Sequence, residues 1–77
     1  MTDDEFLELL KVTKSIKCIR WNAMDGPLLY HILDIYDNHQ VAVKYYGKHK
    51  QRWYYAFYDI WRLKMYYEND WIELESE

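Results

Sequence analysis

The chain has 77 residues, of which 51% are hydrophobic and 19% aromatic, and its net charge is −3. A chain of this length holds one domain, which buries only about 60% of the surface exposed on unfolding, so a few large side chains must offset the entropy of ordering. Four Trp, nine Tyr and two Phe supply that area, at roughly 150–250 Å² per ring system.

Cys18 is the single cysteine, which excludes an internal disulfide and argues against a bridged secreted scaffold. No apolar run approaches the ~20 residues of a membrane helix. The start Thr2-Asp3-Asp4-Glu5 is acidic where a signal peptide is basic. The expectation is a cytoplasmic protein, of a cell or of an infected host cell, with no membrane contact. Charge is laid out in blocks: acidic at Asp3, Asp4, Glu5 and Glu8, and acidic again at Glu68, Asp70, Glu73, Glu75 and Glu77. Between them lies a basic, aromatic middle with Lys44, Lys48, Lys50, Arg52, Arg62 and Lys64. Acidic ends around a basic centre suggest that charge steers binding.

Taken in order, Thr2-Asp3-Asp4-Glu5 fits a capping box, and Phe6, Leu9, Leu10 and Thr13 follow at helical spacing. This predicts a helix over about 3–14, with carboxylates in its first turn and Lys11 and Lys14 in its last, as the helix dipole favours. Ile16, Cys18 and Arg20 alternate with Lys17, Ile19 and Trp21 as in a short strand. Asp25-Gly26-Pro27 marks a loop. Residues 28–36 read either as a helix started by Pro27 or as a strand joined by Asp37-Asn38 to Gln40–Tyr46. The alternation of Val41, Val43 and Tyr45 favours the hairpin. Gly47-Lys48-His49-Lys50-Gln51 reads as a polar turn before an aromatic strand from Arg52 to Tyr58. Residues 59–67 read as either helix or strand, and the alternation of Leu63, Met65 and Tyr67 with Arg62, Lys64 and Tyr66 favours the strand. Asn69-Asp70 is a tight turn before Trp71-Ile72-Glu73-Leu74, and 75–77 form a frayed acidic tail.

The chain is therefore expected to be a single α+β domain over 1–77. Its N-terminal helix packs on a four- or five-stranded antiparallel meander spanning about 16–74, as a small sandwich or SH3-like barrel.

No catalytic constellation stands out. Cys18 reads as a small core residue rather than a nucleophile. Ser15 and Ser76 lack an elbow context, and the carboxylates at the ends look solvated. His31, His39 and His49 lack metal-ligand spacing, so no metal is expected. Gly26 and Gly47 are too few for a phosphate cradle, so no cofactor is expected. The reading is a non-enzymatic module.

A chain so short cannot hide every ring, and exposed Tyr and Trp anchor protein interfaces. Tyr46, Trp53, Tyr54, Tyr58 and Tyr66 are the candidate protein-binding residues, and Tyr46, Tyr54, Tyr58 and Tyr66 among them are assigned to the sheet face opposite the helix. The acidic ends would steer the module toward a basic surface, such as that of a nucleic-acid-binding protein. This fits an inhibitor or adaptor docked on a larger protein or nucleoprotein machine, by analogy with small virus-encoded proteins. The rival reading is direct nucleic-acid binding through the basic aromatic segment 44–55, with Lys44, Lys48, Lys50 and Arg52 on phosphates and neighbouring rings on bases. An aromatic cage for methylated lysine ranks below both. Homodimerisation through an open strand edge stays open.

Overall fold

In the computed structural model, which describes residues 1–19, 29–48 and 50–76, the first helix starts where its caps predict. Thr2 N–H donates to Glu5 Oε1 at 3.1 Å, and Glu5 N–H donates back to Thr2 Oγ1 at 3.2 Å. Two otherwise orphaned amides are thereby satisfied. Helix α1 runs Asp3–Lys11 and stops earlier than its sequence periodicity predicts. Lys14 N–H, which would extend the helix, pairs instead with Glu75 C=O at 2.9 Å in the sheet, and Thr13 Oγ1 takes up the Leu9 C=O left at the helix end at 2.6 Å.

Five strands follow: β1 Ser15–Cys18, β2 Leu29–Ile35, β3 Gln40–Gly47, β4 Arg52–Asp59 and, after helix α2 Ile60–Glu68, β5 Ile72–Glu75. They form one antiparallel sheet in the order β4-β3-β2-β1-β5. The chain is thus α+β, with helices layered on a five-stranded antiparallel sheet, as expected; the sheet stays open and does not close into a barrel. Arg20, Trp21, the Asp25-Gly26-Pro27 loop, Leu28, His49 and Glu77 lie outside the described residues.

The β2–β3 hairpin forms as predicted, and β2 is a strand rather than a helix. His39 N–H closes the turn onto Tyr36 C=O at 3.2 Å, and His39 takes a φ of 63°. A type I turn followed by a left-handed residue gives the twist that a three-residue hairpin needs. At β3–β4, Gly47 is required for space: a Cβ there would run into the ring of Tyr54.

The segment 59–67 corrects the sequence expectation, since most of it is helix. Ile60 and Leu63 are buried and Tyr67 packs beside them, a spacing of three and four residues that suits a helix as well as alternation suits a strand. Arg, Leu, Lys and Met are good helix formers and tip the balance. Asp59 gives the start no side-chain cap; the first amide, Ile60 N–H, instead donates to His39 C=O at 2.9 Å. The sheet, not a capping residue, sets where α2 begins. Its end is a Schellman motif. Trp71 N–H donates to Tyr66 C=O at 2.9 Å, and Asp70 N–H donates to Tyr67 C=O at 3.2 Å. Asp70 sits at φ 59°, and the Trp71 and Tyr66 rings pack 5.5 Å apart as the hydrophobic staple of that motif.

Both helices lie on one face of the sheet. Phe6 and Leu10 of α1, Ile60 and Leu63 of α2, and Ile16, Cys18, Tyr30, Val41, Val43 and Ile72 of the strands form a single buried core. Lys64 of α2 meets Asp3 of α1 at 2.6 Å, and the Phe6 and Tyr67 rings lie 5.6 Å apart, so the helices are clasped to each other as well.

Candidate functional site

The register decides which side chains the helices cover. Val41 pairs with Tyr58, Val43 with Ala56 and Tyr45 with Tyr54, and because both valines are buried in the core, this set faces the helices. The alternate set faces away: Ala42 pairs with Phe57, Lys44 with Tyr55 and Tyr46 with Trp53. No described element packs over this open face. Trp53 is 45% exposed, Phe57 63% and Tyr55 69%. Tyr46 meets Trp53 edge-on at 5.5 Å, and Tyr36, just beyond β2, lies 6.1 Å from Phe57. A row of rings thus runs the length of β4 with partners on its neighbours.

The same face changes character across the sheet. Next to the rings sit Lys44 and His31; the Lys44 ammonium lies 4.8 Å over the Trp53 ring, and His31 is 5.8 Å from it. Farther on, β1 and β5 present Ser15 and Lys17 opposite Glu75 and Glu73. One half of the open face is therefore aromatic with a basic border, and the other half sets Leu29 among polar side chains with an acidic edge.

The predicted residues divide between the two faces. Tyr46 lies on the open face, and Trp53 is its cross-strand partner there. Tyr54 and Tyr58 belong to the helix-covered face, which corrects their assignment. Tyr54 stacks on Tyr45 at 5.5 Å, with the Arg52 guanidinium 5.0 Å over its other side. Tyr58 packs 5.9 Å from Tyr30, whose hydroxyl donates to it; burial first, then that donated bond, pushes the Tyr30 hydroxyl up from its ordinary range. Tyr66 is on α2 rather than on any strand. Sequence reasoning missed Tyr55, Phe57 and Tyr36. The signal was the hairpin itself: once Tyr46 points outward and pairs with Trp53, strand alternation carries Tyr55 and Phe57 outward too.

The four basic residues of the rival reading do not share a face either. Lys44 lies on the open face, Arg52 turns to the helix side and donates to Tyr54 Oη at 3.1 Å, and Lys48 and Lys50 are exposed in the turn. Cys18 is buried, and its thiol is pushed up to about 12 by desolvation, so it is held as the neutral thiol. Among the described residues, no three of His, Cys, Asp and Glu come together as metal ligands. His31 borders the rings and His39 forms the β2–β3 turn. None of the described helices is long and apolar enough to cross a membrane.

A second concavity, of about 510 Å³, opens between α1 and the bulged end of β2, where Leu7, Ile32, Leu33 and Ile35 meet Lys11 and Asp34.

No family model, curated protein or solved structure matches the chain.

Proposed function

We propose that this chain is a non-enzymatic protein-binding module, an inhibitor or adaptor, that docks on a larger protein through the aromatic half of its open sheet face. The observation that carries this reading is the row Trp53, Tyr55 and Phe57, flanked by Tyr46 and Tyr36, left uncovered opposite both helices. Rigid rings offer large contact area at little cost in side-chain entropy, and they dominate the centres of protein interfaces. An exposed contiguous apolar patch with a polar border is the usual mark of such a site. The fitting partner presents an apolar groove with carboxylates at its rim, because Lys44 borders the rings and Lys48 and Lys50 lie at the end of the hairpin. A partner of that charge is met by this face; a basic partner would be met by the acidic α1 start and β5.

A second reading, single-stranded nucleic acid on the same rings, is favoured by one observation: Lys44 stands over Trp53, within reach of a phosphate beside a stacked base. The carboxylates of the α1 start also lie on the opposite layer, which removes part of the repulsion that the composition implies.

One experiment separates the two. The double variant Tyr55→Ser, Phe57→Ser strips the row while leaving the core intact. A stoichiometric protein cross-linked to the wild-type rings through a photoreactive group at Trp53, and lost with the stripped variant but retained by Trp61→Ala on α2, supports the proposal. Oligonucleotide binding that falls steeply with salt and is lost with the same stripped variant establishes the second reading instead. A partner retained by the stripped variant overturns both.

A further inference from the structure

The two edges of the sheet are built differently. At one end, β5 is four residues long and carries Glu73 and Glu75, charges that discourage strand pairing. At the other end, β4 runs eight residues in unbroken register with β3, with no Pro, no bulge and no charge between Trp53 and Tyr58. Among the described residues no strand pairs with its outer side.

The direction of its free backbone groups follows from one hydrogen bond. Ile60 N–H donates to His39 C=O across the Gln40–Asp59 pair, which makes that pair non-hydrogen-bonded. Antiparallel pairs alternate. Arg52, Tyr54, Ala56 and Tyr58 therefore direct their N–H and C=O groups to β3, and Trp53, Tyr55 and Phe57 direct theirs outward. The residues with free backbone groups are also those whose rings stand on the open face.

We propose that a second copy of this chain pairs with β4, antiparallel and two-fold symmetric, with Tyr55 opposite Tyr55 and Trp53 opposite Phe57. Only an even-sum register keeps open face beside open face, and this one satisfies the N–H and C=O of all three outward residues in both copies. It sets aromatic side chains across from one another, a pairing that stabilises antiparallel strands. The charges at the strand ends are complementary as well: Asp59 of one copy comes opposite Gln51 of the other, between Lys50 and Arg52. The assembly closes as a ten-stranded sheet bounded by two acidic β5 edges, so it ends at two copies. The inference does not rest on the docking proposal: its register follows from the backbone edge of β4, and the rings that docking would use add only their cross-strand contacts.

The test begins with sedimentation of the wild-type chain from low micromolar to submillimolar concentration, where a monomer–dimer equilibrium is expected. Tyr55→Lys, which opposes two ammonium groups at the axis, should raise the dimer dissociation constant at least about tenfold, or ~1.4 kcal/mol, with unchanged far-ultraviolet dichroism. Register is read by oxidation. Tyr55→Cys should cross-link as a dimer, since opposed residues lie about 5.5 Å apart at Cα. Phe57→Cys should not, since its two copies are offset by about 13 Å along the strand. A monomer at every concentration, open-ended association, or a cross-link at position 57 in place of 55 would each overturn the proposal.

Discussion

Tyr54 and Tyr55 are adjacent residues of the same kind in the same strand, and they belong to different surfaces of the molecule. Tyr54 lies on the helix side, stacked between Tyr45 and Arg52; Tyr55 stands 69% exposed with no described element over it. The same alternation separates Tyr58 from Phe57. Composition does not distinguish these rings. Parity does: the buried Val41 and Val43 fix which face of β3 meets the helices, and the hairpin register transmits that choice to β4. The helix face spends its rings on cohesion and the open face leaves them available, so each face should respond differently to the same perturbation.

The largest difference is expected between the two phenylalanines. Phe6 is 0% exposed in the core, and Phe57 is 63% exposed on the open face. Phe6→Ala should cost about 3–5 kcal/mol through lost burial and a residual cavity, a large part of the roughly 5–15 kcal/mol available to a small domain. Phe57→Ala loses its contact with Tyr36 and its cross-strand packing on Ala42, and in the monomer should cost no more than about 0.5 kcal/mol. Urea unfolding of the two variants checks this. Comparable losses would mean that the open face is a second core and would remove the basis for reading it as a docking surface.

Much of this contrast was legible in the sequence, and what was hidden has identifiable causes. The capping box of α1, the Asp37-Asn38 hairpin, the Asn69-Asp70 turn and the burial of Cys18 all rest on local chemistry that a few neighbouring residues specify. Helix α2 was hidden because its start carries no capping side chain: the Asp59 carboxylate accepts from Gln40 Nε2 at 3.4 Å, and the first helical amide is held by His39, 21 residues earlier in the chain. A helix boundary set by a long-range hydrogen bond leaves no local signature. The open face was half visible. Tyr46 was assigned to it, together with Tyr54 and Tyr58 that the structure turns the other way, because β4 is aromatic at consecutive positions and its own pattern has no phase. Only the pairing with β3 supplies one.

A second contrast is titrational. Burial pushes the Cys18 thiol up to about 12 from an ordinary value of 9.0, and it raises the Tyr30 hydroxyl on the same face. Both groups are neutral when protonated, so above about pH 9 the unfolded chain loses protons that the folded chain still holds. The stability they contribute is fully present below pH 9 and is lost as pH rises toward 12, with Cys18 alone contributing up to about 1.4 kcal/mol per pH unit. Urea midpoints measured from pH 8 to 11 should fall for the wild type and fall less steeply for Cys18→Ala. A slope in Cys18→Ala equal to that of the wild type would show that the alkaline loss does not come from the buried thiol.

The smallest expected effect tests whether the helix layer can be altered without disturbing the other side. Asp70 occupies the left-handed position of the Schellman motif at φ 59°, where a side chain with a Cβ is disfavoured and glycine is not. Asp70→Gly relieves that strain but adds freedom to the unfolded chain. Both backbone hydrogen bonds of the motif and the Trp71–Tyr66 contact remain, so a net gain of about 0.5 kcal/mol is expected. Thermal unfolding reads the gain, and the indole resonance of Trp53 reads its reach. Between Asp70 and Trp53 stands the whole buried layer of α2 against the sheet. An unmoved Trp53 resonance beside a raised melting temperature would mean that this layer insulates the ring row from the helices that support it. A shifted resonance would mean that the two faces are mechanically joined, and that a partner docked on one would be sensed by the other.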